Sequence, residues 1–283
     1  MGETSIIRAA LGLTAAAALA SCSAAPRSPP ETDLPTFVSL NPCLDAILVE
    51  VAEPDQILAL SHYSSDPAAS SMDVELARRF AMTGGTAEEV IALRPDVVLA
   101  SSFIAPATKA ALERAGLRVE TFGSPTSVEE SVEQIHRLGE LTQQQFQASS
   151  LARVISIPGW EPVDHTQNSP DPSLMLWQPG QIVAGEASLI AQLIRESGFT
   201  SHSAALGLDQ ADYVTLEDVL RDPPDVLLVA GDSVGQRHPA LGELENTLVH
   251  IFEPALFFCA GPNIIDARGE LSDLRMRFEG PTR

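Results

Sequence analysis

Lysine is nearly absent from this 283-residue chain: Lys109 is the only one, and the other 16 of its 17 basic residues are arginines. Acidic residues number 38, so the formal net charge is −21. A surface this acidic repels phosphate backbones, and nucleic acid is therefore not an expected partner. Hydrophobic residues make up 45% of the chain, which suffices for a packed core and argues against global disorder.

Metal-binding spacings are also lacking. The three cysteines stand at positions 22, 43 and 259, and neither a C-x-x-C nor an H-x-H spacing occurs. A dedicated zinc or manganese site is therefore not expected, and no cofactor is predicted.

The apolar run at residues 9–20 is shorter than the about 20 residues that a membrane-spanning helix needs. It suits the core of an export signal, predicted here as residues 1–21. The stretch "LASC" at its end resembles a bacterial lipobox, in which the thiol of the cysteine, here Cys22, takes a lipid; a plain cleaved signal peptide is the alternative. Residues 22–35 contain four prolines and no apolar pattern, which predicts a tether. The predicted location is the periplasm, as a membrane-anchored lipoprotein.

One segment occurs twice in the sequence. Residues 88–100 are "EEVIALRPDVVLA" and residues 217–230 are "EDVLRDPPDVLLVA", and matched positions are 129 apart (217 − 88 = 129). Each copy is typical of a helix end, a Pro-Asp stop and an apolar, β-branched strand. A duplicated unit of this kind predicts two similar lobes.

Helical and strand patterns alternate along both halves, which predicts an α/β fold built from parallel βα units. We place the N-terminal lobe at 36–125 and the C-terminal lobe at 154–283. Residues 126–153 between them have apolar residues at three- and four-residue spacing and few helix breakers. They predict one continuous connecting helix about 40 Å long.

The duplicated unit, the long central helix, the lipobox and the opening stretch "FVSLNPCLDAI" from Phe37 together resemble the helical-hinge periplasmic binding proteins of ABC importers. Such proteins serve the uptake of cobalamin, ferric siderophores and haem. The resemblance covers residues 36–283 and implies two Rossmann-like lobes with parallel sheets joined by one long helix. It also implies an extracytoplasmic, lipid-anchored, non-catalytic protein that captures an iron-siderophore or cobalamin between its lobes. Both lobes would then contact an ABC permease dimer, which receives the ligand.

Ligands of open parallel sheets bind beyond the carboxyl ends of the strands, so the loops there are candidates for the cleft. The candidate ligand-binding residues in these loops are Asn41, Cys43, His62, Tyr63, Ser101, Phe103, Trp177, Gly231, Asp232, Phe258 and Cys259.

Some of these residues have alternative interpretations. Trp177 and Phe258 suit stacking on a flat macrocycle or chelate, or else are core aromatics at strand ends. His62 and Tyr63 have side chains able to ligate haem iron or contact an iron chelate, although an ordinary loop contact is the preferred interpretation.

Cys43 and Cys259 are both expected to face the cleft, one from each lobe. A disulfide between them requires Cα atoms within about 7 Å. An oxidising compartment permits the bond, but a bridge would lock a mobile cleft, and we therefore favour two free thiols.

In the family that the chain resembles, a glutamate on each lobe meets an arginine of the permease. The matching residues here are Glu88 and Glu217, each eight residues before the aspartate of its Pro-Asp. A carboxylate in the first turn of a helix is stabilised by the helix dipole. The alternative is a helix-start role with no partner, and Glu89 and Asp218 are the candidates if the alignment shifts by one residue.

A hydrolase is the rival class. The stretch "GDSVG" at 231–235 matches G-x-S-x-G after a predicted strand, with Ser233 as the nucleophile of an esterase. Gly235 and Pro239 oppose the helix that should follow, and no histidine follows Asp266 to complete the usual triad order. A binding protein that scavenges or senses without a transporter is a third possibility.

Overall fold

The computed structural model describes residues 34–158, 171–209, 211–231 and 234–278. The predicted signal peptide, the lipidated Cys22, and the residues Asp232 and Ser233 lie outside the described residues. Within them, no helix combines the length and the apolar character needed to cross a membrane.

The first half of the described chain forms a five-stranded parallel sheet of order β3-β2-β1-β4-β5. Phe37 and Val38 of the central strand lie in two different hydrophobic clusters, so both faces of the sheet are covered. The elements are β1 (Phe37–Ser39), α1 (Pro42–Val51), β2 (Ile57–Ser61), α2 (Val74–Ala77), β3 (Met82–Thr83), α3 (Ala87–Leu93), β4 (Val97–Ser101), α4 (Pro106–Arg114) and β5 (Arg118–Phe122).

The connecting segment consists of two helices, α5 (Val128–Thr142) and α6 (Gln145–Ile155), and the prediction of one continuous helix was wrong. The chain turns at Gln143, whose backbone is left-handed with φ 61°. A side chain at Gly139 would bring its Cβ within 2.4 Å of the Ala148 Cβ. The missing side chain therefore allows the start of α6 to fold back against the end of α5.

The second half forms a six-stranded sheet of order β11-β10-β6-β7-β9, with β8 paired to β6. Its elements are β6 (Ser173–Gln178), β7 (Ile182–Val183), α7 (Leu189–Glu196), β8 (Thr200–Ser201), α8 (His202–Ala205), β9 (Asp212–Tyr213), α9 (Leu216–Arg221), β10 (Val226–Ala230), β11 (Leu248–Phe252) and α10 (Asn263–Arg277).

This second sheet is mixed, whereas the sequence predicted a parallel one. β6 pairs in parallel with β10 and β8, but β7 is antiparallel to both β6 and β9. Only the short turn Pro179–Gln181 separates β6 from β7, and Gly180 and Gln181 adopt left-handed backbone there. So short a connection joins only antiparallel strands, because a parallel pair needs a crossover of a dozen or more residues.

The duplicated Pro-Asp unit makes the same contact in each half. The Asp96 carboxylate accepts hydrogen bonds from the backbone and the hydroxyl of Thr36, both at 2.8 Å. The Asp225 carboxylate does the same for Ser173, at 2.8 and 2.9 Å. Each aspartate thus ties the start of one strand to the start of its neighbour, which sets the register of the central strands in both sheets.

The largest hydrophobic cluster contains buried residues from both halves, including members of β1, α1, α5, α6, β6, α7 and α10. The two sheets therefore share one core through the connecting helices. The first sheet lies within the predicted N-terminal lobe and the second within the predicted C-terminal lobe.

Candidate ligand-binding cleft

A pocket of about 360 Å³ lies where loops from both sheets meet. Its walls come from the segments after β1, β5, β6 and β7 and from the segments before α7 and α10. Its lining residues are Asn41, Cys43, Leu44, Gly123, Ser124, Pro125, Thr126, Gln134, Gln178, Ala184, Ser188, Leu189, Ile190, Phe257, Phe258, Cys259 and Ala260. The position beyond the carboxyl ends of strands is the one at which open α/β sheets bind ligands.

Asn41 shows how the local sequence shapes this wall. The Asn41 side-chain oxygen accepts hydrogen bonds from the backbone amides of Cys43 and Leu44, at 2.8 and 3.3 Å, and so caps α1. Pro42 occupies the first turn, where its missing N–H removes no helical bond. This cap leaves the amide NH₂ of Asn41 free of any hydrogen bond to the described residues and holds Cys43 at the pocket.

Cys43 and Cys259 form a disulfide, and the preference for two free thiols was wrong. Their Cα atoms are 5.1 Å apart, within the range that the bond requires. The segment that carries Cys259 is already fixed: the Ser131 hydroxyl of α5 donates to the Ala260 carbonyl at 3.0 Å. Gly261 lies so close to α1 that a Cβ there would be 3.1 Å from Ile47. The bond therefore joins parts of the molecule that packing already holds together.

The polar groups that line the pocket are uncharged. They are the amides of Asn41, Gln134 and Gln178 and the hydroxyls of Ser124, Thr126 and Ser188. No described lining residue is ionisable, because the two cysteines are bonded to each other. Gln134 is 9% exposed, and its side chain makes no hydrogen bond to the described residues. An amide that lines the pocket and has no protein partner is suited to bind a polar group of a molecule inside the pocket.

Asp45 is fully buried next to the pocket wall, one residue after Leu44. Its Oδ2 accepts hydrogen bonds from the Ser61 backbone at 2.8 Å and the Ser64 hydroxyl at 2.6 Å, whereas its Oδ1 has no partner. Burial raises the pKa of Asp45 from 3.8 to about 7, against the opposing effect of the Ser39 and Ser64 hydroxyls and the Ser61 amide. Asp45 thus fastens the loop that carries His62 and Tyr63 to α1.

Four of the sequence-predicted ligand residues line the pocket, namely Asn41, Cys43, Phe258 and Cys259. Six others that the structure describes lie outside its lining. One of them is Trp177, and for the other five, His62, Tyr63, Ser101, Phe103 and Gly231, the ligand contacts remain predictions.

His62 and Tyr63 lie together on an exposed 3₁₀ turn, with ring centroids 4.1 Å apart. The Nδ1 atom of His62 lies 3.3 Å from the Thr83 carbonyl oxygen. These are contacts within the first half of the molecule.

Trp177 is a core residue, so its interpretation as a stacking platform was wrong. It is 1% exposed, and its indole N–H donates to the Val214 carbonyl at 2.9 Å. It packs in the hydrophobic cluster of β6 and β10. The strand face that holds position 177 points into the core, whereas the next residue, Gln178, reaches the pocket.

Sequence reasoning missed several lining residues. The loop 123–126 follows β5, the last strand of the first sheet, so the rule that selected the other loops also applies to it. Gln134 lies inside α5, and Ser188 to Ile190 begin α7. A helix interior gives no sequence signal for a ligand contact, and these residues become apparent only when the two halves are brought together.

Glu88 and Glu217 occupy the same place in equivalent helices. Thr86 caps α3 and Thr215 caps α9, and each glutamate is the second helical residue, exposed and without a hydrogen bond or ion pair to the described residues.

The alternative candidates, Glu89 and Asp218, are engaged locally. Glu89 accepts hydrogen bonds from the Thr83 hydroxyl and the Gly84 backbone. The Thr215 hydroxyl, and after it Arg221, hold the pKa of Asp218 below its ordinary value.

The hydrolase interpretation depends on Ser233, which lies outside the described residues. The two histidines that follow it are both engaged. His238 Nδ1 accepts from the Ala240 backbone amide at 3.2 Å, and His250 Nε2 lies 2.8 Å from a Glu270 carboxylate oxygen. Within the described part of the chain, no group of three or more histidine, cysteine, aspartate or glutamate side chains is placed to hold a metal ion.

Comparisons with solved structures find the same fold in binding proteins. A possible iron-binding, periplasmic solute-binding protein from Staphylococcus epidermidis has a TM-score of 0.69 at 15% identity, over 87% of this chain and 100% of that one. A periplasmic heme-binding protein from Pseudomonas aeruginosa has a TM-score of 0.67 at 19% identity, over 85% of this chain and 92% of that one. A periplasmic vitamin B12-binding protein from Vibrio cholerae has a TM-score of 0.64 at 16% identity, over 87% of this chain and 99% of that one. These similarities establish the α/β fold.

A search of curated proteins found no match. Residues 37–245 match the family described as periplasmic binding protein, which is more than half of the chain and includes the first sheet and every strand of the second except β11. This chain belongs to the periplasmic binding protein family.

Proposed function

We propose that this protein is the extracytoplasmic substrate-binding protein of an ABC importer, which captures an iron chelate or a corrinoid and delivers it to the permease. The observation that carries the proposal is the pocket between the two sheets, which is lined by loops from the carboxyl ends of strands in both. Family membership supports a role in binding, without catalysis.

The class of ligand is supported by the solved relatives, whose names describe proteins that bind iron, heme or vitamin B12. The pocket volume of about 360 Å³ is near the lower end of the range for ligand sites. A bulky chelate would therefore insert one face and project from the mouth. Phe257 and Phe258, with ring centroids 5.2 Å apart, provide an aromatic wall for that face.

The test is direct binding. The purified protein is titrated with cyanocobalamin, haem and a panel of ferric siderophores by calorimetry and by visible absorbance. Saturable binding of one class is expected, and Phe258→Ala should weaken it. Phe146→Ala is the matched control, because Phe146 is an exposed phenylalanine outside the pocket lining. Lack of binding by all three classes would contradict the proposal.

The proposed partner is the permease, contacted through both lobes. Glu88 and Glu217 are suited to this role because both are exposed and make no hydrogen bond or ion pair to the described residues. The residues that follow them, Glu89 and Asp218, instead accept hydrogen bonds from the hydroxyls of Thr83 and Thr215. Two separated charges of this kind fix orientation and association rate more than affinity.

We also propose that Cys22 carries a lipid and that residues 23–35 tether the protein to the membrane. The support is the "LASC" stretch after a short apolar run, followed by the proline-rich segment. Cys22→Ser should release the protein from the membrane fraction or leave it unprocessed, whereas Ser23→Ala should do neither. Wild-type protein that fractionates as soluble, with an N-terminus other than Cys22, would contradict the anchor.

A further inference from the structure

The pocket contains neutral polar groups and no described cation. Its lining offers three amides, three hydroxyls and an apolar wall, but no lysine, arginine or histidine. The internal segments outside the described residues, 159–170, 210 and 232–233, contain no lysine or arginine either. Lining contributed by those segments would therefore bring no arginine or lysine to the ligand.

The arginines on the elements around the pocket are already paired. Arg195 on α7 pairs with Glu186, and Arg268 on α10 binds Glu196 at 2.6 Å. Arg137 on α5 pairs with Glu120. Each of these three cations has a carboxylate partner, and Arg275 of α10 donates to the Gly198 carbonyl at 2.9 Å. These four arginines are therefore engaged within the protein and are not free to neutralise an anionic ligand.

An anionic chelate would therefore lose its hydration in the pocket without gaining an ion pair, which is strongly unfavourable. The net charge of −21 adds a long-range repulsion for such ligands. A ligand face without net charge meets neither obstacle, and it exchanges hydrogen bonds with water for hydrogen bonds with amides.

Two glutamine amides, and the NH₂ group of Asn41, are available for those hydrogen bonds. The side chains of Gln134 and Gln178 both line the pocket, and neither makes a hydrogen bond to the described residues. Gln134 is 9% exposed and lies in the lining of the pocket. Its amide is placed to pair with a carbonyl, hydroxamate or amide group of a bound molecule.

We propose that the cleft selects a metal complex by its lack of net negative charge, and that Gln134 is the specificity-determining residue. This inference rests on the proposed function, because it names the chemical class of ligand for the same pocket. The ligand class is a ferric complex without net negative charge, such as a trihydroxamate, or a neutral corrinoid.

Four probes test the charge rule on the full-length chain. The uncharged probes are a cyclic ferric trihydroxamate and cyanocobalamin, and the anionic probes are a ferric tricatecholate and haem, which carries two propionates. We expect at least one uncharged probe to bind about 100-fold or more tightly than either anionic probe, since an unpaired buried charge is poorly tolerated. Equal or tighter binding of an anionic probe would overturn the charge rule and leave the importer function standing. No binding of any probe would instead contradict the importer function, and the charge rule with it.

The role of Gln134 has two separate readouts. Gln134→Leu removes the amide and should weaken the uncharged probe about 5- to 100-fold, because a polar group of the ligand loses its partner. The same change should leave the melting temperature of the ligand-free protein unchanged, because the amide makes no hydrogen bond to the described residues. A residue with only a structural role would instead lower the melting temperature and leave the affinity unaltered, which would overturn the assignment.

Charge and amide effects are separated by a second substitution. Gln134→Lys places a cation in the pocket and should shift the preference toward the anionic probes. Gln145→Leu, on the exposed start of α6, is the control and should change neither affinity nor preference. An unaltered ratio of affinities in the Gln134→Lys protein would contradict selection by charge.

Discussion

Cys43, in the first turn of α1, is bonded to Cys259, which precedes α10, although 216 residues separate them. The bond closes most of the described chain into one loop and lies in the wall of the pocket. Because cross-linking restricts the unfolded chain most when the loop is long, a bond over this separation has a large effect on stability.

We expect the double variant Cys43→Ser with Cys259→Ser to lower the free energy of unfolding by about 2–5 kcal/mol. Urea denaturation followed by circular dichroism measures the change. Reduction of the wild-type protein should produce the same shift, and the double variant should not respond to the reductant. Alkylation and mass measurement before and after reduction count the free thiols, and two free thiols in the untreated protein would contradict the bond.

Sequence rules described local structure well because they depend on neighbouring residues. The helix and the strand predicted for each copy of the duplicated segment are present in the structure, as α3 with β4 and α9 with β10. The rules failed where distant residues decide the outcome. The left-handed turn at Gln143 has no glycine or proline to announce it, and it depends on contact between α5 and α6.

The site was predictable only in part for the same reason. The rule that ligands bind beyond strand ends identified the segments of Asn41 and Phe258, which line the pocket. It gave neither the Cα distance between the two cysteines nor the inward orientation of Trp177. Both depend on how the halves pack, and that information is not contained in spacing along the chain.

The buried carboxyl group of Asp45 should make the free energy of unfolding depend on pH. Burial raises its pKa from 3.8 to about 7, so the folded protein holds this proton more tightly than the unfolded chain. The stabilising contribution of protonated Asp45 to the free energy of unfolding is therefore fully present below pH 3.8 and is lost as the pH rises to about 7. The size of the loss is on the order of 4 kcal/mol, at about 1.4 kcal/mol for each pKa unit.

Asp45→Asn should flatten this dependence and raise stability at pH 8, because an amide keeps an acceptor for Ser61 and Ser64 without a buried charge. Urea denaturation of both proteins at pH 4, 5, 6, 7 and 8 tests both expectations. Asp55→Asn, at an exposed position, removes the same formal charge and controls for repulsion across the acidic surface. Parallel pH curves for Asp45→Asn and the wild type would show that Asp45 does not titrate in this range.

Arg268 is the buried cation of the second half. It is 4% exposed and binds Glu196 through Nε at 2.9 Å and Nη2 at 2.6 Å, and it also donates to the carbonyl of Ile157 at 3.1 Å. Arg268→Met leaves a carboxylate and backbone carbonyls without their partner, and we expect a loss of about 3–5 kcal/mol. Arg195→Met breaks the more exposed pair with Glu186 and should cost at most about 1 kcal/mol. Similar losses in the two variants, measured by urea denaturation, would contradict the assigned importance of burial.

The next prediction concerns the proposed contact of Glu88 and Glu217 with a permease. Their helices are the matching parts of the duplicated segment, each capped by threonine and each presenting an exposed, unpaired carboxylate. The duplication thus has two consequences: the aspartates tie the strands of each sheet, and the glutamates remain available for a partner. We expect Glu88→Ala with Glu217→Ala to leave ligand affinity unchanged and to weaken binding to the permease about 100-fold or more, since charge-assisted pairs contribute a few kcal/mol.

The control is the double variant Glu113→Ala with Glu243→Ala. It removes the same number of negative charges at two other exposed glutamates, one in each half. It separates a specific docking contact from the general effect of a less acidic surface. Permease binding is measured by surface plasmon resonance on reconstituted transporter, and uptake is measured in cells that lack the wild-type protein. Each single variant should have an intermediate effect, because the proposed docking places each lobe on a different permease subunit. Equal binding and uptake by the docking double variant and the control would show that these carboxylates serve only their helices.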